Sequence, residues 1–213
     1  MAFMKIDMES FPRKSHFEYF LNMAYPYAGV TVKVDVTDFV RFCNEKKCSF
    51  YLAFLHAAAL AADSVREFRF RIRDGGIAEY DACPTSHIEL LNDETYCYCT
   101  LRHHMPFDEY LEKAENARKL CREKGGIEED NDVESMYFVS CLPWLDYTSL
   151  VQPVSGGEDS NPRITWGRYA SDAEGRLAMP VSVLVHHALA DGVHIAKFYD
   201  ALNRQMKILS EEA

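Results

Sequence analysis

Val30, Val32, Val34 and Val36 alternate strictly with Thr31, Lys33 and Asp35, the period-two pattern of a strand with one buried face. Upstream, Ser15 precedes Glu18 by the capping-box spacing, and Phe17, Phe20, Leu21 and Ala24 recur at helical intervals, so a helix is expected there. Thr37-Asp38 opens a short helix that ends near Lys46-Lys47. Phe50 to Ala62 is alanine-rich and almost uniformly apolar, which predicts a buried helix because alanine is a weak strand former. Phe68 to Ile72 alternates, Asp74-Gly75-Gly76 turns, and Ile77 to Tyr80 pairs back as a hairpin. His87 to Leu91 and Tyr96 to Leu101 read as strands, the second with Cys97 and Cys99 on one face. Phe107 to Glu123 has Tyr110, Leu111, Ala114, Ala117 and Leu120 at helical spacing. Gly125-Gly126 ends that helix and an acidic loop, Glu128 to Asp132, follows. Met136 to Leu142, Arg163 to Tyr169 and Ala178 to Val185 are expected strands, with an exposed turn at Ser155 to Ser160. A last helix carries Ile195, Phe198, Tyr199, Leu202, Met206 and Leu209 on one side. There is no internal repeat and no Pro- or Ser-rich linker. One mixed α/β domain over residues 1–213 is the expectation.

Composition narrows the partners. At 213 residues the chain suffices for one sizeable core and is short for two domains. A formal net charge of −10 argues against nucleic acid or an anionic membrane surface as the main partner, though a local cluster of Lys and Arg still admits an anionic cofactor. No apolar run approaches the ~20 residues of a membrane span, and the N-terminus lacks the basic and apolar regions of a signal peptide. Seven scattered cysteines without a CxxC pair point to a reduced, cytoplasmic compartment.

The candidate chemistry lies at Val183-Leu184-Val185-His186-His187-Ala188-Leu189-Ala190-Asp191-Gly192, where an apolar run delivers two histidines to a tight turn. Imidazole alone titrates near neutrality when unperturbed, so a rigidly held histidine can take and return a proton. Three readings of the pair stand open: hydrogen-bonded core residues, metal ligands with His194 as a third, or a catalytic base. No cysteine or carboxylate supports the metal reading with ligand spacing, so no metal is expected. Asp191 reads equally as an N-cap, with Gly192 easing the turn. A second pair, His103-His104, is followed by Met105-Pro106 with no turn or carboxylate beside it and is expected at the surface.

The full string HHxxxDG, after an apolar strand and before a helix, resembles the active-site signature shared by chloramphenicol acetyltransferases and the acyltransferase cores of 2-oxo-acid dehydrogenase complexes. Phe11-Pro12-Arg13-Lys14-Ser15-His16-Phe17-Glu18 is similar to the chloramphenicol acetyltransferase segment whose arginine pairs with the motif aspartate. Ser140 to Trp144 resembles its Ser-x-x-Pro-Trp strand, and Ile164 to Tyr169 its coenzyme-contacting strand. Phe50-Tyr51 and Glu67 to Gly75 follow in the same order, so the likeness spans nearly the whole chain.

That resemblance implies a two-layer sandwich of a mixed β-sheet with helices packed on it. It implies acetyl-CoA as co-substrate, with no metal, and a small-molecule hydroxyl acceptor such as the antibiotic chloramphenicol. His187 would be the general base, its tautomer held by its own backbone carbonyl; Ser140 would be the oxyanion donor, and Asp191 with Arg13 the anchor of the turn. Thr165, Arg168 and Tyr169 would contact the coenzyme, with Lys46 or Lys47 as further candidates for its phosphates. Tyr19, Phe20 and Ala24 would line the acceptor pocket. A homotrimer with active sites between subunits is also implied. Pro26 and Ala28, Asp146 after Pro143-Trp144, and Ala190 before Asp191 depart from the usual pattern. Two alternatives follow: an acyltransferase for a different small acceptor, or a non-catalytic acyl-CoA-binding module. A multienzyme-complex core is less expected, since no lipoyl or linker segment precedes the motifs.

Overall fold

The computed structural model describes residues 2–127 and 132–211; of the expected acidic loop only Asp132 lies among the described residues. In chain order the elements are β1 (Phe3–Lys5), α1 (Lys14–Leu21), β2 (Tyr27–Asp35), α2 (Thr37–Lys46), α3 (Phe50–Ser64), β3 (Phe70–Arg73), β4 (Gly76–Tyr80), β5 (Thr85–Leu90) and β6 (Tyr96–Leu101). They continue with α4 (Phe107–Lys124), β7 (Tyr137–Leu142), β8 (Arg163–Gly167), β9 (Ala170–Ser171), β10 (Leu177–His186) and α5 (Gly192–Glu211).

The larger sheet runs β2-β10-β8-β7-β5-β6, with β9 paired to β10. It is mixed: β5–β7 and β7–β8 are parallel, while β10 is antiparallel to both β2 and β8. One row of side chains on β10, Met179, Val181, Val183 and Val185, is buried with Trp166 against α3 and α5. Alanines fill much of α3, so it lies close to α5, and Leu52, Phe54 and Leu55 supply its bulk. Each such large side chain, fully buried, contributes about 1.5–3 kcal/mol. Helix α3 starts as its sequence suggests: the Ser49 hydroxyl accepts the Leu52 N–H at 3.4 Å. The helices therefore cover the sheet on this face, giving the expected two-layer α/β arrangement.

A second, three-stranded sheet, β1-β4-β3, stands apart. Its β3–β4 hairpin turns through Asp74 and Gly75, both left-handed (φ 52° and 72°), the backbone pair that matches strand twist in a two-residue turn. Phe70, Ile72 and Ile77 from this sheet bury against Phe17 of α1 and against Ala188 and Leu189. The small sheet is thus the floor beneath the turn that follows β10. Arg71, 1% exposed, runs from β3 into the gap beside β7. Its guanidinium donates to the carbonyls of Phe68 (2.7 Å), Phe70 (2.8 Å), Glu134 (2.7 Å) and Met136 (2.8 Å).

Several boundaries differ from the sequence expectation. Arg13, not Ser15, occupies the N-cap of α1, and no side chain caps it. Ser15 lies one residue inside the helix, so the capping-box spacing there has no cap to make. The helix ends at Leu21, leaving Ala24 on an exposed bend. Phe68 and Arg69 belong to a 3₁₀ turn before β3, and β8 stops at Gly167 rather than Tyr169. Gly167 is where Leu145 crosses: a Cβ built there would stand 2.4 Å from the Leu145 carbonyl oxygen, which accepts the Arg168 N–H at 2.7 Å. Val34 and Val36 are buried as the alternation requires, but Val30 and Val32 are 44% and 38% exposed. They sit on the edge strand β2, towards its first half, where the helix layer covers the strand only partly.

Candidate active site

Strand β10 carries His186 and His187 to its C-terminal end. His186 is buried, and its ring is fully used: Nε2 donates to the Gly157 carbonyl at 2.8 Å, and Nδ1 accepts the Ala188 N–H at 3.2 Å. Burial lowers its pKa, so it stays neutral. His187 is half-buried. Its Nδ1 lies 3.1 Å from the Ala190 carbonyl oxygen, which can only accept, so Nδ1 carries the proton and Nε2 presents its lone pair. The tautomer is therefore held by the carbonyl of Ala190, three residues on, and not by His187's own carbonyl. The turn Leu189-Ala190 folds back as backbone N–H groups of both residues reach the His186 carbonyl at 3.0 and 3.1 Å, which brings the Ala190 oxygen within reach. The Phe20 ring stacks on the imidazole, centroids 3.9 Å apart and 27° from parallel. The backbone beneath this side chain is fixed as well: the His187 N–H donates to the Pro26 carbonyl at 2.7 Å.

Asp191 closes the turn. Its Oδ2 lies 3.1 Å from Arg13 Nη2, while Arg13 Nη1 donates to the Leu189 carbonyl at 2.7 Å. Asp191 Oδ1 accepts the Val193 N–H at 3.1 Å, a cap for α5. Burial raises the Asp191 pKa, but His194 and Arg13 more than offset it, and the net shift is downward. One guanidinium thus ties both ends of the Leu189–Asp191 turn to the start of α1.

Ser140 and Thr165 sit elsewhere. Thr31, Ser182, Thr165 and Ser140 are register partners across β2, β10, β8 and β7, so their hydroxyls form one row on the face away from α3 and α5. Ser182 Oγ lies 2.7 Å from Thr31 Oγ1 and bonds the Tyr147 hydroxyl at 3.2 Å. Ser182 is five residues before His187, about 16 Å along the strand, and Ser140 is two strands further, about 10 Å across. A single chain does not bring Ser140 to His187.

Ser140 lies between two cavities. One, of about 500 Å³, is lined by Ser86, Tyr98, Phe138, Leu150, Gln152 and Thr165 among others. Here Gln152 Nε2 donates to Thr165 Oγ1 at 2.5 Å, while its Oε1 is buried with no partner among the described residues. The other, about 770 Å³, includes Tyr51, Trp144, Arg118, Arg122, Arg168 and Tyr169. Arg118 and Arg122 both hold Glu89, at 2.6 Å each to its two oxygens. Burial pushes the Glu89 pKa up; hydrogen bonds from His87, Arg118 and Arg122 outweigh it and hold the carboxyl down at about 2. With Arg168, three guanidiniums face one carboxylate, and the cavity carries net positive charge.

Of the expected site residues, the structure joins His187, Phe20, Arg13 and Asp191 at one end of β10. It joins Ser140 with Thr165, and Arg168 with Tyr169. Tyr19 packs edge-on against Phe20 at 5.1 Å but is otherwise exposed, as is Ala24. Lys46 is committed to Asp108 at 3.0 Å, and Asp146 pairs with Lys33. Glu89, Arg118, Arg122 and Gln152 were not anticipated. The four-residue spacing of Arg118 and Arg122 on α4 is the one signal that places two cations on a common face.

Only one member of the second histidine pair, His104, is at the surface. His103 is 2% exposed and only His104 is half-exposed; both Nε2 atoms converge on Asp63 Oδ2, at 2.8 and 2.6 Å. The sequence pattern missed this because Asp63 lies 40 residues away from His103, at the end of the apolar helix α3.

A family model described as chloramphenicol acetyltransferase matches residues 1–203. A chloramphenicol acetyltransferase of Clostridium perfringens is 31% identical over 207 residues, 95% of this chain and 97% of that protein. One from Escherichia coli is 29% identical over 207 residues, 95% of this chain and 93% of that protein. A solved chloramphenicol acetyltransferase superposes with a TM-score of 0.88 at 25% identity, covering 96% of this chain and all of that one.

Proposed function

The chain belongs to the chloramphenicol acetyltransferase family, and from that premise we propose that it transfers acetyl from acetyl-CoA to a hydroxyl of chloramphenicol or a similarly small acceptor. The observation that carries the chemistry is the Nδ1 bond of His187 to the Ala190 carbonyl, which leaves Nε2 free to act as a base. In the proposed step Nε2 removes the acceptor's hydroxyl proton as that oxygen bonds to the thioester carbonyl carbon. The carbonyl oxygen becomes an oxyanion, which the Ser140 hydroxyl stabilises. Collapse breaks the C–S bond, and the imidazolium returns its proton to the thiolate, giving CoA thiol and ester. Asp191 does not touch the base; with Arg13 it holds the turn that aims it.

The coenzyme fits the arginine-lined cavity, where Arg168 and the Arg118–Arg122 pair offset phosphate charge and Tyr169 offers an aromatic face. The cavity across Ser140, with its polar wall of Gln152, Ser86 and Thr165, suits the acceptor. Because Ser140 and His187 are far apart in one chain, we propose that a second copy supplies the base, as in a homotrimer with sites between subunits. Strand β2 supports this: it is a nine-residue edge strand with Val30 and Val32 exposed, the kind of edge that pairs with another chain. Phe20, with Tyr19 and Ala24 beside it, would then wall the acceptor on the histidine's side. A cytoplasmic location is part of the same reading, supported by seven free cysteines.

The second reading, a different small acceptor, is favoured by that polar wall. Retention of Ser140, His187, Asp191 and Arg13 together speaks against a non-catalytic module. CoA-thiol release, followed with chloramphenicol and a panel of small alcohols, tests both. A general base is worth ~10² to 10⁴-fold, so His187→Ala should lose at least that factor with whichever acceptor is turned over. An undiminished rate overturns the assignment.

A further inference from the structure

The cluster at the end of α3 is the feature that the acetyl-transfer chemistry leaves unused. Asp63, on an otherwise apolar helix, has its two oxygens divided. Oδ1 accepts from the Tyr137 hydroxyl at 2.7 Å and from the Cys83 N–H at 3.2 Å, which fixes the carboxylate's plane. Oδ2 is left to face His103 and His104, which lie on the segment leaving β6. These two Nε2 atoms and one carboxylate oxygen lie within 4.8 Å of one another. Two imidazoles and a carboxylate on one point are the donor set of a borderline divalent metal, and the partners on Oδ1 are what orients a ligating carboxylate.

We propose that Asp63, His103 and His104 form a binding site for a transition-metal dication, zinc foremost, with solvent as the remaining ligand. Zinc bonds of ~2.0–2.2 Å in a tetrahedral set ask donor atoms to stand about 3.3 Å apart, slightly wider than the present hydrogen-bonded spacing of 2.8 and 2.6 Å. His104 can supply that widening: it is half-exposed and lies in an irregular segment. Its exposure is also the way in for the ion. On binding, the ion replaces the two Nε2–H···Oδ2 bonds; each ring gives up its Nε2 proton and coordinates through that nitrogen with Nδ1 as the protonated one, the proton passing from Nε2 to Nδ1 through solvent. The metal ties the last turn of α3 to the exit of β6 and, through Tyr137, to the strand that carries Ser140. It takes no part in the acetyl-transfer step.

The test uses untagged, chelator-treated protein. Titration of Zn²⁺ by calorimetry should give one site per chain, and His104→Ala, which removes one ligand at an exposed position, should weaken that site at least tenfold with the far-UV circular dichroism unchanged. His16→Ala, at an exposed histidine remote from the cluster, should leave it unchanged. Zn²⁺ should raise the melting temperature of the wild type and of His16→Ala but not of His104→Ala. Co²⁺ in place of Zn²⁺ should show visible bands of low coordination number in the wild type, and these should vanish in His104→Ala. Equal zinc affinity in wild type and His104→Ala, or no site tighter than millimolar, overturns the proposal and leaves the cluster a hydrogen-bonded triad.

Discussion

Gln152 shows what one side chain decides. Its amide nitrogen is committed to Thr165, and its oxygen is buried without a donor among the described residues. Such an unpaired acceptor costs about 1–3 kcal/mol, which a bound hydroxyl or amine recovers. Gln152→Leu should therefore raise KM about tenfold for an acceptor carrying a second polar hydrogen, with little change in KM for acetyl-CoA. Equal KM values across a polar and an apolar acceptor would show that this oxygen does not meet the substrate. At the same scale, Asp191→Asn keeps the shape of the turn but removes the charge that Arg13 meets at 3.1 Å. It should lower kcat while leaving KM for acetyl-CoA near its wild-type value. A fully active Asp191→Asn would separate the Arg13 contact from the positioning of His187. The resemblance pointed to His187, Asp191 and Arg13, and the structure brings these three residues to one end of β10. The motif's local string could not reveal that the Ala190 carbonyl sets the tautomer, because that depends on how tightly Leu189 and Ala190 fold back.

Elements were readable where one pattern dominated. The uniform apolarity of α3 and the alternation of β2 appear as helix and strand, the first because α3 is buried on nearly every side. Ends were less readable. Helix α1 begins beside Arg13 since tertiary bonds to Leu189 and Asp191, not a hydroxyl cap, hold its first turn. The small sheet was foreseen only as a hairpin; its third strand, β1, is three residues long and has no periodicity to read. Helix α4 is bound to β5 through Glu89, and that contact makes a pH-dependent prediction. The Glu89 carboxyl is held at about 2 in the fold, below its ordinary 4.5, so its contribution to stability is complete above that ordinary value. It is lost as pH falls through the folded value. The melting temperature of Glu89→Gln should therefore lie below wild type at pH 7, and the gap should close as pH falls toward about 2. A gap that stays constant across this range would show that Glu89 does not carry its charge in the fold.

For the whole molecule, the separation of Ser140 from His187 has a direct consequence. If each site draws its base from one chain and its hydroxyl donor from another, two inactive variants can repair each other. His187→Ala and Ser140→Ala chains, unfolded together and refolded as a mixture, should regain a fraction of wild-type turnover. Refolded separately, neither should. Turnover that never exceeds the sum of the two separate preparations, in mixtures shown to contain both chains in one oligomer, would mean that each site is built within one chain. The acidic surface, formally −10, and the three guanidiniums of the larger cavity fit one picture at this scale. A locally positive cavity on a negative body concentrates phosphate-bearing ligand at one place.

Arg71 bears on the order in which the chain folds. Two of its carbonyl partners, Phe68 and Phe70, are within three residues, whereas Glu134 and Met136 lie 63 and 65 residues further along. The β3–β4 hairpin can close early, but its guanidinium must then remain hydrated until β7 docks. The entropy of closing that long loop is met in the same event that strips water from a permanent positive charge. Arg71→Lys, which keeps the charge and loses the planar fork, should slow refolding more than it speeds unfolding if β7 docks in the rate-limiting step.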